Sequence, residues 1–293
     1  MTETPFAPGP APSPPSSRSP SPSRERIGAH RAIGVPGALL APAAIGVAVL
    51  ALPLAALLLR LDWSAVPAAV TSPAAVEALT LSLVTAAIAT GCCIVLGVPL
   101  ALVMARASRR TAAVLRTLVT LPLVLPPLVG GIALLALLGR TGLFGESLAL
   151  LGVRIPFTTT AVVIAQVFVA LPFLVISVEG SLRAVGTRFE AVAASLGARP
   201  FTVFRRVTLP LVLPGVLAGT VLCFARALGE FGATALFAGN TAGVTRTMPL
   251  AIYTAFNGAG VSEDTAIALS LMLIGVAIAV LLVMRGWRED APR

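Results

Sequence analysis

"EAVAASLGARPFTVFRRVTLP", residues 190–210, carries four charged side chains, a glycine near its middle and a Leu-Pro at its end, yet it stands between two charge-free apolar runs. Ionised side chains are costly in hydrocarbon. The contrast therefore separates a segment in water from two segments in lipid. The stretch reads as a polar elbow, and the runs on either side as membrane spans.

The rest of the chain agrees. Its 293 residues are 57% hydrophobic and 11% charged, with a mean hydropathy of +0.97. A soluble domain has about 45–50% apolar and about 25% charged residues, so this chain lacks the side chains to cover a water-facing surface. The formal charge of +9 comes from 21 basic residues, all arginine. They cluster in short loops and in the N-terminal tail, a pattern that sets membrane topology rather than binding nucleic acid. Cys92, Cys93 and Cys223 lie inside apolar runs and read as small packing residues without disulfide or metal spacing.

Residues 1–33, rich in Pro, Ser and Ala with scattered Arg, read as a disordered cytoplasmic tail. The apolar run after it, Gly37 to Leu59, exceeds the roughly 7–15 residues of a signal-peptide core. It reads as an uncleaved first span, which with its outer loop makes up residues 34–75. Five more runs follow: Leu79 to Ala105, Thr117 to Leu138, Phe157 to Val178, Leu211 to Ala225 with an extension, and Ala266 to Met284. Backbone groups find no water in lipid, so these are helices; none has the alternation of a barrel strand. The expected fold is an all-α integral membrane protein with six transmembrane helices. Sixteen arginines fall on one side of that layout and four on the other, Arg226 aside, which places both termini in the cytoplasm. Residues 286–293 are a short cytoplasmic tail.

Within the elbow, "RFEAVAASL" favours a helix with a small-residue face at Ala191, Ala194 and Ser195. Gly197 suits a helix end at positive φ, and Pro200 the first turn of a second short helix. Phe201 and Phe204, three apart, share a face beside Arg205 and Arg206. Such an apolar knob with a basic rim is a docking site for a partner, or an amphipathic helix lying on anionic lipid.

The elbow resembles a known family. Gly197, nine residues, then Val207, Thr208, Leu209 and Pro210 matches the conserved cytoplasmic loop of ABC importer permeases: Glu-Ala-Ala, three residues, Gly, nine residues, Ile-x-Leu-Pro. In that family the loop is the coupling helix that fits a groove of the ATPase subunit. The resemblance assigns coupling to Glu190, Ala191, Ala193, Gly197, Phe201, Phe204, Arg205, Leu209 and Pro210. One departure stands out: the family's acid falls at position 191, and this chain has Glu190, one place early. "FARALGEFGATALFAGN" (224–240), "TRTMPLAIYT" (245–254) and "LPLVLPPLVGG" (121–131) are similar to stretches of molybdate permeases; sulfate and thiosulfate permeases are close relatives. The resemblance covers most of residues 76–285 and implies a type I importer permease domain there. It also implies a second permease copy as a homodimer, a cytoplasmic ATPase dimer that uses ATP and Mg, an extracytoplasmic molybdate-binding protein, and a multi-pass place in the cell membrane.

Arg226 and Glu230, four apart at the outer end of the fifth span, can pair on one helix face. Gly229 and Gly232 flank the acid and let the helix loosen there. The pair reads as a gate or as a structural tie. A carboxylate is a poor ligand for a dianion, so Glu230 reads as scaffold. Pro126 and Pro127 mark either a bent helix beside the pathway or an ordinary kink. Thr245, Arg246 and Thr247 lie in an outer loop where Arg246 meets an oxyanion or a binding protein.

The chain has no lysine and no GxxxxGK[ST] loop. Its one histidine, His30, falls in the tail, and its acids are scattered. The expectation is a non-catalytic chain with no cofactor of its own. A gradient-driven carrier or channel, the alternative from another class, normally needs an acid or broken-helix site near the midplane, and the six apolar runs contain no acid there.

Overall fold

A computed structural model describes residues 37–258 and 263–289. The expected tail at 1–33, His30 included, and residues 290–293 lie outside the described residues. The chain divides into two compact units, Met1–Pro53 and Leu54–Arg293. In the first, a 3-10 turn (Gly37–Leu39) leads into α1 (Leu40–Arg60), which continues past Pro53.

The second unit holds, in order, α2 (Val66–Val70), α3 (Pro73–Arg106), α4 (Arg109–Val124), α5 (Pro127–Leu138), α6 (Gly145–Leu150) and α7 (Thr159–Val185). There follow α8 (Arg188–Ser195), α9 (Pro200–Val203), a π-helical turn (Phe204–Thr208), α10 (Leu209–Leu228), α11 (Gly232–Phe237), α12 (Met248–Asn257) and α13 (Glu263–Glu289). No strand occurs among the described residues. Helix starts follow local chemistry: the Ser72 hydroxyl accepts from the Ala75 N–H at 3.3 Å, and Pro73 occupies the first helical position, where a missing N–H costs nothing.

The main core lies between α3, α7 and α10. Lipid tails are as apolar as leucine, so membrane helices associate through small residues that let backbones approach. Ala86, Ala89, Cys93, Gly97 and Ala101 form such a seam on α3, and a Cβ on Gly97 would meet Leu174 at 3.0 Å. Cys93 and Cys223 are buried in this core and unbonded, in keeping with a packing role. Residues 93 and 97 face 167 and 174, so α3 and α7 run parallel; Gly215 and Gly219 face Ser181 and Leu174, so α10 runs antiparallel to them. The Ser177 hydroxyl donates to the Gly215 carbonyl at 2.9 Å across that contact. A Cβ on Gly215 would stand 2.5 Å from the Ser181 Cβ. Gly215→Leu therefore forces the pair apart and is expected to cost about 1–3 kcal/mol or more as overpacking, read as a lower unfolding temperature in detergent, while Leu213→Ile on the exposed face leaves it unchanged.

Three boundaries differ from the sequence expectation. The expected third span is two helices, α4 and α5, that meet at 114°. Each residue before a proline is pushed out of the helical region, and Leu125 and Pro126 stand in succession at ψ 136° and 135°. Isolated prolines inside α3, α7 and α10 leave those helices continuous. The expected fourth span ends at Val178, but α7 runs on to Val185 and carries Glu179 inside it. Lastly, among the described residues four helices are long and apolar enough to cross a membrane, or five if the bent pair counts as one span; the apolar part of α13, Asp264–Val280, is shorter.

Candidate functional site

The elbow folds as two short helices about a glycine. Gly197 has φ +81°, its N–H donates to the Ala194 carbonyl, and Ala198 N–H donates to that of Ala193. That bond pair closes α8 as a Schellman motif, which glycine enters without strain. Pro200 opens α9 at its first position. Ala191, Phe201, Arg205 and Pro210 are exposed, with Phe201 at 73%; Ala193, Glu190, Phe204 and Leu209 are half-buried. Phe204 is thus less prominent than its spacing from Phe201 suggests, because the chain enters the π turn at that residue.

A face that sequence reading missed is larger. Phe189, Val192 and Leu196, at spacings of three and four on α8, are all exposed, Leu196 at 83%. Phe201, on the following short helix, is exposed as well, on a projection that also carries Arg188, Arg199, Arg205 and Arg206. The i, i+3, i+7 pattern of Phe189, Val192 and Leu196 was the available signal.

Two carboxylates tie this end of the bundle together. Glu190 Oε1 accepts from Arg106 Nη2, at the end of α3, at 2.8 Å and from Thr208 Oγ1 at 2.5 Å. Glu179, buried on α7, accepts from Arg116 Nη2 of α4 at 2.5 Å and from Arg183 Nε at 3.1 Å. The arginine-bearing segments that follow α3 and end α7 therefore share one end of the second unit. Glu179 also went unread, since a search for charge-free windows stops just before it; the basic Arg183 four residues on was the clue.

At the other end of α10 the helix loosens as the glycines suggest. Gly229 to Phe231 separate α10 from α11, and Arg226 Nη1 lies 2.7 Å from Glu230 Oε2. Glu230 is 1% exposed. Its Oε1 accepts the Ala233 N–H at 2.7 Å, a negative group on the first turn of α11. Gly232 packs on Pro127, where a Cβ would come within 2.6 Å. Pro126, Pro127 and Arg226 line one cavity of about 140 Å³ with Phe168 and Phe173. The candidate gate residues from two distant stretches are thus brought together at the α4–α5 break.

The outer loop is only partly as expected. Thr245 and Thr247 are buried, Thr245 because its hydroxyl accepts the Thr241 N–H at 2.9 Å and closes the loop. The buried Thr247 hydroxyl has no hydrogen-bond partner among the described residues. Arg246 is half-exposed and donates through Nε to Asn240 Oδ1 at 2.8 Å. The Thr159 hydroxyl donates to the Val244 carbonyl at 2.9 Å, fixing the loop at the start of α7, opposite the elbow.

A small-residue helical bundle with a helical elbow at one end and a charged pair at a helix break near the other defines a membrane-embedded transport subunit. The match to known proteins is specific. The chain belongs to the family of binding-protein-dependent transport system inner membrane components, whose model matches residues 97–288. It is 53% identical to the molybdenum transport system permease protein ModB of Mycobacterium tuberculosis, over 86% of this chain and 95% of that protein. Against ModB of Escherichia coli the identity is 40%, over 64% of this chain and 82% of that protein. Among solved structures, the fold matches a crystal structure of a bacterial ABC transporter involved in the import of the acidic polysaccharide alginate, with TM-score 0.66, 18% identity, and coverage of 87% and 95% of the two chains. The chain is a non-catalytic, multi-pass membrane subunit of a transporter.

Proposed function

We propose that this chain is the permease subunit of an ATP-driven importer for a tetrahedral oxyanion, with molybdate as the solute. The observation that carries the reading is the 53% identity to a molybdenum permease across nearly its whole length. Two copies form the path as a homodimer, with six spans each and both termini in the cytoplasm. The grouping of arginine-rich loops at one end of the second unit supports that orientation. A cytoplasmic ATPase dimer, using ATP and Mg, docks on the elbow through Phe189, Val192, Leu196 and Phe201, and an extracytoplasmic binding protein delivers the anion. Arg226 and Glu230, braced by Gly229, Gly232, Pro126 and Pro127, gate the outer part of the path, and Arg246 lies at its mouth.

The test is uptake of labelled molybdate into vesicles holding this chain with an ABC ATPase subunit and an extracytoplasmic molybdate-binding protein. Uptake that needs ATP and persists in a large excess of sulfate is expected. Uptake that sulfate abolishes would make the chain a sulfate permease instead.

A further inference from the structure

We infer that Glu190 is a positioning residue that fastens the elbow to two spans, so that motion of α8 is delivered to α3 and α10 together. This rests on the reading of α8 and α9 as the seat of the ATPase.

Helical hydroxyls in this chain commonly turn back to a carbonyl four residues earlier, as those of Thr80, Thr90, Thr220 and Ser270 do. Thr208 does not. It is buried at the end of the π turn, and its hydroxyl donates to Glu190 Oε1 at 2.5 Å. The same oxygen receives Arg106 Nη2 at 2.8 Å. The last residue of α3, the first turn of α8 and the residue before α10 therefore meet at one carboxylate oxygen. π turns in otherwise α-helical runs recur at functional positions because the wider turn changes which face a side chain shows. Here it lies where Thr208 leaves the usual back-bond and reaches another element.

The one-place shift of the acid now has a physical meaning. Successive helix positions are rotated by about 100°. Position 191 is exposed, whereas Glu190 keeps 18% of its side chain in view. A carboxylate at 191 would point away from the bundle; at 190 it points to Arg106 and Thr208. Its two bonds are charge-assisted, the stronger class; the one to Thr208 is half-buried, and the one to Arg106 is open to water on the arginine side, 47% of which is exposed. A push on α8 then moves α3 and α10, which share the main core with α7. Without the carboxylate charge both bonds lose their charge assistance and the tie between the elbow and the two spans weakens.

The experiment compares wild type, Glu190→Gln, Thr208→Val and the double variant Arg106→Glu with Glu190→Arg, each assembled with the ATPase and binding protein in vesicles. Solute moved per ATP hydrolysed and capture of the ATPase by the chain are both measured. Solute per ATP is expected to fall about tenfold in Glu190→Gln, within what single residues on a coupling route change, with capture unchanged. Thr208→Val should fall in the same direction, and the charge-swapped pair should recover most of the loss. The ratio normalises for material lost to misfolding. Equal solute per ATP in wild type and Glu190→Gln overturns the inference, as does a loss of capture that accounts for the loss of transport, since Glu190 would then touch the motor. A charge swap no better than Glu190→Gln also counts against it. Failure of the functional reading is distinct: the wild type itself would show no ATP-driven uptake.

Discussion

Arg226→Leu is expected to destabilise the chain by about 3–5 kcal/mol, the usual loss when one partner of a buried ion pair is removed and the other is left charged. Glu230 is the stranded partner: 1% exposed, with Oε2 on Arg226 and Oε1 on the Ala233 N–H. Without the guanidinium, that backbone N–H is left to offset the cost of an ionised group that is 1% exposed. Glu230→Gln in the same chain removes the stranded charge and keeps an oxygen for Ala233. The double variant should therefore recover most of the stability, as seen by thermal unfolding in detergent. Transport then separates the two roles of the pair. A gate predicts that the double variant, stable as it is, still moves solute at least about tenfold more slowly; recovery of transport along with stability would reduce the pair to a structural tie.

Gly197→Pro should give the larger functional loss. Proline holds φ near −65° and has no N–H, whereas Gly197 stands at +81° and donates to Ala194. The elbow cannot close with proline there, and a misfit of about 3 kcal/mol corresponds to roughly a hundredfold in affinity. The spans on either side are untouched, so insertion into the membrane should be normal while capture of the ATPase falls by that order. Gly197→Ala, which meets only the left-handed penalty of about 1–2 kcal/mol, should fall about tenfold. Equal capture by all three chains would remove the elbow from coupling.

Much of this was legible in the sequence because lipid leaves the backbone few choices: a long charge-free run has to be helical. The glycine at 197, the proline at 200 and the i, i+4 spacing of Arg226 and Glu230 are local signals, and the structure has each where its chemistry points. What escaped was decided by tertiary packing. Proline lies inside five of the described helices, α1, α3, α4, α7 and α10, and leaves each continuous, whereas the consecutive Leu125–Pro126–Pro127 breaks a run through 114°. Beyond the turn α5 packs against α11, with Gly131 on Ala233 and Leu236. Glu179 is buried where Arg116 comes from another helix to meet it, beside Arg183 of its own. Thr245 and Thr247 look like solute-facing hydroxyls in a polar loop, yet the loop folds them inward.

The most direct measurement uses purified chain in sealed vesicles loaded with ATP, with the external binding protein and labelled molybdate outside, and with or without the ATPase. A passive conduit worked from its elbow predicts uptake only when the ATPase is present and ATP is hydrolysed. Molybdate entering at the same rate with the ATPase left out would contradict it.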